Sequence, residues 1–144
     1  DFWFGNLNSD FSNKENMADA QLNKMAVSGI DPQPMSKENP WYKYYSFLPK
    51  EESVDDGNMI QTDSKNYEAN PFGLFSMHGN IAEWTRSSYV PYPYKDKSKV
   101  SSEYKVVRGG SYIDRPKFST SYERKAYYPW QRVHNVGFRV IIED

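Results

Sequence analysis

Hydrophobic positions along this chain seldom hold one period for long. Residues 14–28 (KENMADAQLNKMAVS) have helical character: Met17, Leu22 and Met25 fall roughly on one face, and Gly29 can end the helix. Strand signals are confined to the later part. Tyr104–Arg108 reads as a short strand, Gly109–Gly110 as a turn or bulge, and Ser111–Ile113 as the strand's continuation. Tyr122–Tyr127 reads as another strand. Gly137–Ile142 alternates, with Phe138, Val140 and Ile142 on one face and Arg139 and Ile141 on the other, which predicts a half-buried strand. Residues 73–84 (GLFSMHGNIAEW) fit neither period, and Gly73 and Gly79 argue for tight turns there. Residues 31–71, proline-rich and carrying Asp-Asp-Gly at 55–57, read as a long irregular segment with the Trp41–Phe47 aromatics packed inward. Residues 90–99 read as a surface loop. The pattern predicts a small α+β domain, loop-rich, with short antiparallel strands and little helix.

Composition sharpens this picture. A length of 144 residues suits one domain. The chain holds 4 Trp, 12 Tyr and 8 Phe, a density that excludes a disordered chain and predicts a core of rings with polar tips. Phe2-Trp-Phe-Gly5 reads as an aromatic anchor. Cysteine is absent, which removes disulfides, thiolate metal sites and cysteine nucleophiles from these residues. No apolar run approaches the ~20 residues a membrane helix needs. The sequence begins at Asp1 with neither initiator Met nor signal peptide, so the natural start and any targeting signal are expected upstream.

Net charge is −1, unevenly spread: residues 1–94 carry seven basic and thirteen acidic groups, and residues 95–144 carry eleven basic and six acidic. Two parts that fold together and neutralise each other explain this without a partner. The basic residues are scattered singly and no recognition helix or RNA-binding motif is present, so nucleic acid is not an expected partner.

The chemistry on offer is oxygen chemistry. His78 and His134 are far apart in sequence and lack metal-ligand spacing, so both read as loop or packing residues. No nucleophile elbow, phosphate loop or dinucleotide fingerprint occurs. Two clusters could hold a hard cation. One is Ser76, Gly79, Ile81 and Glu83, where glycine turns aim carbonyls and Glu83 adds charge. The other is Asp55, Asp56 and Asn58 with help from elsewhere. Calcium takes about 6–8 oxygens, backbone carbonyls included, and suits irregular loops.

Three ordered motifs carry a resemblance. Asn70-Pro-Phe-Gly-Leu-Phe-Ser-Met-His-Gly-Asn-Ile-Ala-Glu-Trp84, Val107-Arg-Gly-Gly-Ser-Tyr112 and Gly137-Phe-Arg-Val140 resemble the signatures N-x-F-G-L-Y-D-M-x-G-N-V-x-E-W, R-G-G-S-W/Y and G-F-R of the formylglycine-generating enzyme (sulfatase-modifying factor) family. Phe2-Trp-Phe-Gly5 and Asn16-Met-Ala-Asp19 are weaker matches. The resemblance spans residues 1–144 but covers only the later part of the family domain, so the N-terminal part of that domain is an expected partner. It implies a C-type-lectin-like fold and two calcium sites. The first would use the Asn16 side chain, the Met17 carbonyl, the Asp56 carboxylate and the Asn58 carbonyl, with any helix starting after Asp19. The second would use Ser76, the Gly79 and Ile81 carbonyls, and the Glu83 carboxylate. The family usually has Asp or Asn at position 76, so one or two calcium ions are expected as cofactor.

The family's enzymes resemble mononuclear copper oxidases that use a cysteine pair just after R-G-G-S-Y. In Ile113–Ser119 of this sequence, Asp114 and Ser119, or a neighbour of either, stand at those positions. A soft Cu(I) ion needs soft ligands, so no copper and no catalytic residue are expected. Cysteine-less relatives include bacterial envelope lipoproteins. The resemblance therefore implies a non-catalytic, calcium-stabilised domain of a cell-envelope protein, periplasmic, outer-membrane-associated or extracellular, that binds a glycan or a protein. Arg124, Trp130 and Arg132 are candidates for its ligand groove, whereas Trp84 and Arg108 read as structural. The alternative is a divergent formylglycine-generating or iron-dependent oxidoreductase whose metal ligands lie outside this chain.

Overall fold

The computed structural model describes residues 1–24, 50–93 and 103–142. Among these residues a sheet of four strands forms: β1 (Ala82–Ser88), β2 (Lys105–Arg108), β3 (Lys125–Tyr127) and β4 (Val136–Gly137), in the order β3-β2-β1-β4. β2 pairs antiparallel with both β1 and β3, but β4 runs parallel to β1. The sheet is therefore mixed rather than wholly antiparallel. The long connection from β1 to β4 passes through β2 and β3 and is free to return in either direction. A register shift between Trp84 and Ser88 marks a bulge in β1.

The strand expected at 104–108 forms, and Gly109 and Gly110 turn the chain with φ of 89° and 71°. Ser111–Ile113 does not continue the strand. It bends away into a turn, and Asp114 N–H donates to the Ser111 carbonyl at 2.9 Å. Only 125–127 of the expected 122–127 strand is extended. The predicted helix is also shorter: residues 14–19 are irregular and a 3-10 helix covers Ala20–Lys24. Residues 25–28, the Trp41–Phe47 cluster and residues 94–99 lie outside the described residues. Among the described residues no helix is long and apolar enough to cross a membrane.

The largest departure is at the C-terminus. Pairing stops at Gly137, and Phe138, Val140, Ile141 and Ile142 are 74–86% exposed. The alternation is real, but no strand pairs with 138–142 among the described residues, so the Phe138, Val140 and Ile142 face is uncovered, and on the other face only Arg139 is partly buried.

Burial follows the composition. Phe11, Met17 and Val54 form a small apolar cluster, with Phe2 and Phe4 stacked on each other at 5.0 Å and packed against it. The aromatic anchor expected at residues 2–5 is thus in place. Beside it lie many buried polar groups, among them Glu15, Asn16, Asp19, His78, Asn80, Ser111 and Asn135. Loops this polar hold together only if their groups find partners, and Asn80 supplies several. Its side chain bridges the Thr62 N–H (2.9 Å) and carbonyl (2.9 Å), and accepts from Asn16 Nδ2 (3.3 Å). Its backbone N–H donates to the Asn16 carbonyl (2.6 Å).

Candidate functional site

Two oxygen-rich regions and the loop after the twin glycines meet around Asn80. Residues 18–20 run alongside 51–54, joined by Glu51 N–H to the Ala18 carbonyl (2.8 Å) and Ala20 N–H to the Val54 carbonyl (3.0 Å). This brings Asn16 and Met17 toward Asp56 and Asn58.

The Asn16 amide has a fixed orientation, because Nδ2 donates to the Ile60 carbonyl at 2.9 Å and to Asn80 Oδ1. Its Oδ1 is buried with no hydrogen-bond partner. Asp56 accepts from Asn58 N–H through Oδ1 at 2.7 Å, while its Oδ2 is buried and likewise unpartnered. Burial pushes the Asp56 carboxyl up to about 7, and the Asp19 and Asp55 carboxylates add to the rise; the Asn58 and Met17 N–H groups oppose it. Two orphaned oxygens of this kind are the hard donors that a cation such as calcium takes. Asn58 is held by its own side chain, which donates to the Asp56 carbonyl (3.1 Å) and the Tyr67 hydroxyl (2.8 Å). Among the described residues no three His, Cys, Asp or Glu side chains form a metal-binding group. A cation here would therefore depend mainly on amide and carbonyl oxygens, with Asp56 as its charge.

The second loop is arranged differently. Ser76 sits at φ 50° and donates its hydroxyl to the Ser64 carbonyl at 3.2 Å. Gly79, at φ 93°, turns so tightly that a Cβ there would lie 2.1 Å from the Asn16 carbonyl oxygen. Glu83, on β1, accepts a forked pair from Arg139, with Nε at 3.0 and 3.1 Å from its two oxygens and an Nη2 contact of 2.7 Å. By alternation Arg139 shares a strand face with Ile141, opposite Phe138, and no role as a partner for Glu83 follows from that. The G-F-R motif was the signal that marked it.

Where the family resemblance puts thiols, Asp114 Oδ1 pairs with Lys125 Nζ at 2.6 Å. Asp114 Oδ2 accepts from the Ser111 hydroxyl at 2.6 Å, and that hydroxyl accepts from Asn135 Nδ2 at 2.8 Å. Ser119 is fully buried, and a Cβ on Gly110 would lie 2.1 Å from its hydroxyl oxygen. Its carbonyl accepts from His78 Nδ1 at 2.7 Å. His78 is buried against the edges of Phe2 and Phe4, and burial lowers its pKa. This is the packing role its sequence context predicted. Nothing before the fold linked Lys125 to Asp114.

Glu15 is a further group the sequence reading passed over. It is fully buried, Trp3 Nε1 donates to its Oε1 at 3.1 Å, and burial pushes its carboxyl up to about 8.

The three groove candidates do not form one cluster of free groups. Arg124 lies 3.6 Å over the Tyr92 ring and donates to the Val90 carbonyl at 2.9 Å, so it braces the 89–92 loop. Trp130 is 75% exposed and stacks on Tyr128 at 5.1 Å; Tyr128 in turn packs on Tyr104 at 4.4 Å, with their hydroxyls 2.7 Å apart. Arg132 is exposed. Elsewhere, a cavity of about 590 Å³ opens beside β1 between Trp84, Ile81, Leu74 and Ile141, with Arg86 and Arg108 also lining it.

Comparison with known proteins fits these features. A family model described as Sulfatase-modifying factor enzyme 1-like domain matches residues 13–144. The formylglycine-generating enzyme of Streptomyces coelicolor is 28% identical over 101 residues, covering 64% of this chain and 32% of that protein. The inactive C-alpha-formylglycine-generating enzyme 2 of Mus musculus is 32% identical over 75 residues, covering 49% of this chain and 22% of that protein. The structure of PvdO from Pseudomonas aeruginosa superposes with a TM-score of 0.52 at 23% identity, over 85% of this chain and 50% of that one. The chain thus spans about a third or less of these two sequence relatives and half of the structural neighbour. With the three motifs in order and a matching loop-rich α+β fold, the chain belongs to the sulfatase-modifying factor enzyme 1-like family.

Proposed function

We propose that this chain is a non-catalytic, calcium-stabilised, C-type-lectin-like member of its family, working in a bacterial cell envelope by binding a glycan or a protein. The observation that carries the non-catalytic part is the Asp114–Lys125 ion pair. A carboxylate neutralised by an ammonium, with a second, fully buried hydroxyl at Ser119, offers Cu(I) none of the soft donors it needs. The mouse relative described as inactive supports the idea that this scaffold persists without the chemistry. Copper reconstitution followed by oxygen uptake on a cysteine-containing sulfatase peptide tests it. The expected result is no stoichiometric copper and no turnover. Tightly held copper with substrate-dependent oxygen consumption would show that the chain is an enzyme.

Calcium is assigned to the Asn16–Asp56 region on the strength of the two orphaned oxygens there. Asn16 Oδ1, Asp56 Oδ2 and the Met17 and Asn58 carbonyls would hold it. One carboxylate gives low charge, so affinity in the range of extracellular calcium modules, about 10⁻⁴–10⁻³ M, is expected.

The binding surface is assigned to Trp130 with Arg132. The stack on Tyr128 and Tyr104 holds the indole rigid, so little ordering entropy opposes ligand stacking on its free face. Trp130→Ala is expected to weaken binding about tenfold or more on a glycan array while leaving the melting temperature within a degree or two. If the array retains nothing and an envelope protein is captured instead, with the same Trp130 dependence, the partner is protein.

A further inference from the structure

The family resemblance gives a second cation Ser76, the Gly79 and Ile81 carbonyls, and the Glu83 carboxylate. The carboxylate, the only charged ligand of that set, is engaged by one side chain together with the carbonyls of the turn at 75–76. Arg139 Nε donates to both Glu83 oxygens, and its Nη2 reaches Glu83 Oε1 at 2.7 Å, the Phe75 carbonyl at 2.8 Å and the Ser76 carbonyl at 3.4 Å. The fork is planar and bidentate, the strong geometry for a guanidinium on a carboxylate. Meanwhile Ser76 turns its hydroxyl away to the Ser64 carbonyl.

We propose that Arg139 is the resident cation of this loop, filling the role that the family resemblance gives to a second calcium ion, so that no metal binds at Glu83. The charge count decides it. With Asp or Asn replaced by serine at 76, Glu83 is the loop's one carboxylate, and Arg139 neutralises it. A divalent ion would have to displace a three-contact ion pair and then sit beside the freed guanidinium; the other carboxyl facing this loop, Glu15, is pushed up to about 8 by burial and adds little negative charge at neutral pH. The staple is part of the chain. It ties the segment after β4 to the turn at 75–83 whatever the calcium concentration.

This inference is independent of the calcium assigned at Asp56, and the test separates the two. Calcium per chain is counted by native mass spectrometry on the full-length protein and its variants. Glu83→Gln is expected to bind as many ions as wild type while melting at a lower temperature, because Arg139 loses its partner. The double variant Ser76→Asp with Arg139→Gln is expected to gain one ion per chain. Position 76 already sits in the left-handed region that aspartate tolerates better than serine. Loss of an ion in Glu83→Gln, or no gain in a folded double variant, overturns the proposal. Should either variant fail to fold, wild-type protein decides by NMR. The Arg139 Nε–H resonance is expected to be protected from exchange without calcium and unmoved when calcium is added; a calcium-dependent shift of that resonance overturns the proposal. Failure of Asp56→Asn to lose an ion would sink the first site alone.

Discussion

Withdrawing calcium at pH 8 is expected to lower the melting temperature by about 5–10 °C, and the drop is expected to shrink toward zero below pH 6. An ion bound only by the folded state at a hundred times its dissociation constant adds about 2.7 kcal/mol. A domain of this size gains about 2–4 °C per kcal/mol. The pH dependence comes from Asp56. Its carboxyl sits at about 7 in the folded protein without metal, against 3.8 for the free side chain. The folded state therefore holds a proton that the unfolded chain has released, and metal-free stability falls as pH rises from about 4 through about 7. Calcium replaces that proton, so its contribution grows over the same interval. Glu15, raised to about 8, tilts the metal-free and metal-loaded curves alike and cancels in their difference. Differential scanning fluorimetry with calcium or chelator across pH 5–8 checks this, with Asp56→Asn as the variant that should lose both the calcium effect and its pH dependence. Superimposed curves at pH 8 would remove calcium from the account.

Gly79→Ala is expected to be the most damaging single-atom-scale change, costing roughly 3 kcal/mol or more and about 10 °C, or abolishing soluble protein. Two costs add. The left-handed φ of 93° strains any residue with a Cβ, and that Cβ would meet the Asn16 carbonyl oxygen at 2.1 Å, a backbone atom with little room to retreat. The same carbonyl accepts from Asn80 N–H, so the clash pries apart the 16–80 contact on which the Asn16 amide depends. Gly57→Ala is the control: its φ is also positive, at 83°, yet nothing lies within 4 Å, so only the strain remains. Equal melting temperatures for the two variants would show that close packing at Gly79 does not matter.

How far the sequence could be read depends on the range over which each feature is decided. The strand at 104–108, the twin-glycine turn and the tight turn at Gly79 are local. Side-chain alternation and glycine backbone freedom act over a few residues, and the chain forms them where they were expected. The motif order carried the family for the same reason. The predicted helix over 14–28 shows the limit. Met17 and Leu22 are buried as their spacing suggested, but Asn16 and Asp19 spend their polar groups on distant loops, and helix is confined to Ala20–Lys24.

By itself, then, the sequence determined the family, the loop-rich α+β class and the absence of thiols. Tertiary structure alone decided which charges meet. Lys125 reaches Asp114, Arg124 is spent on the 89–92 loop, and Arg139 crosses more than fifty residues to close on Glu83. It also left Phe138, Val140, Ile141 and Ile142 exposed where alternation predicted a half-covered strand. The physical reason is that periodicity fixes which way a side chain points relative to its neighbours. Whether anything stands there to meet it depends on how distant segments are brought together.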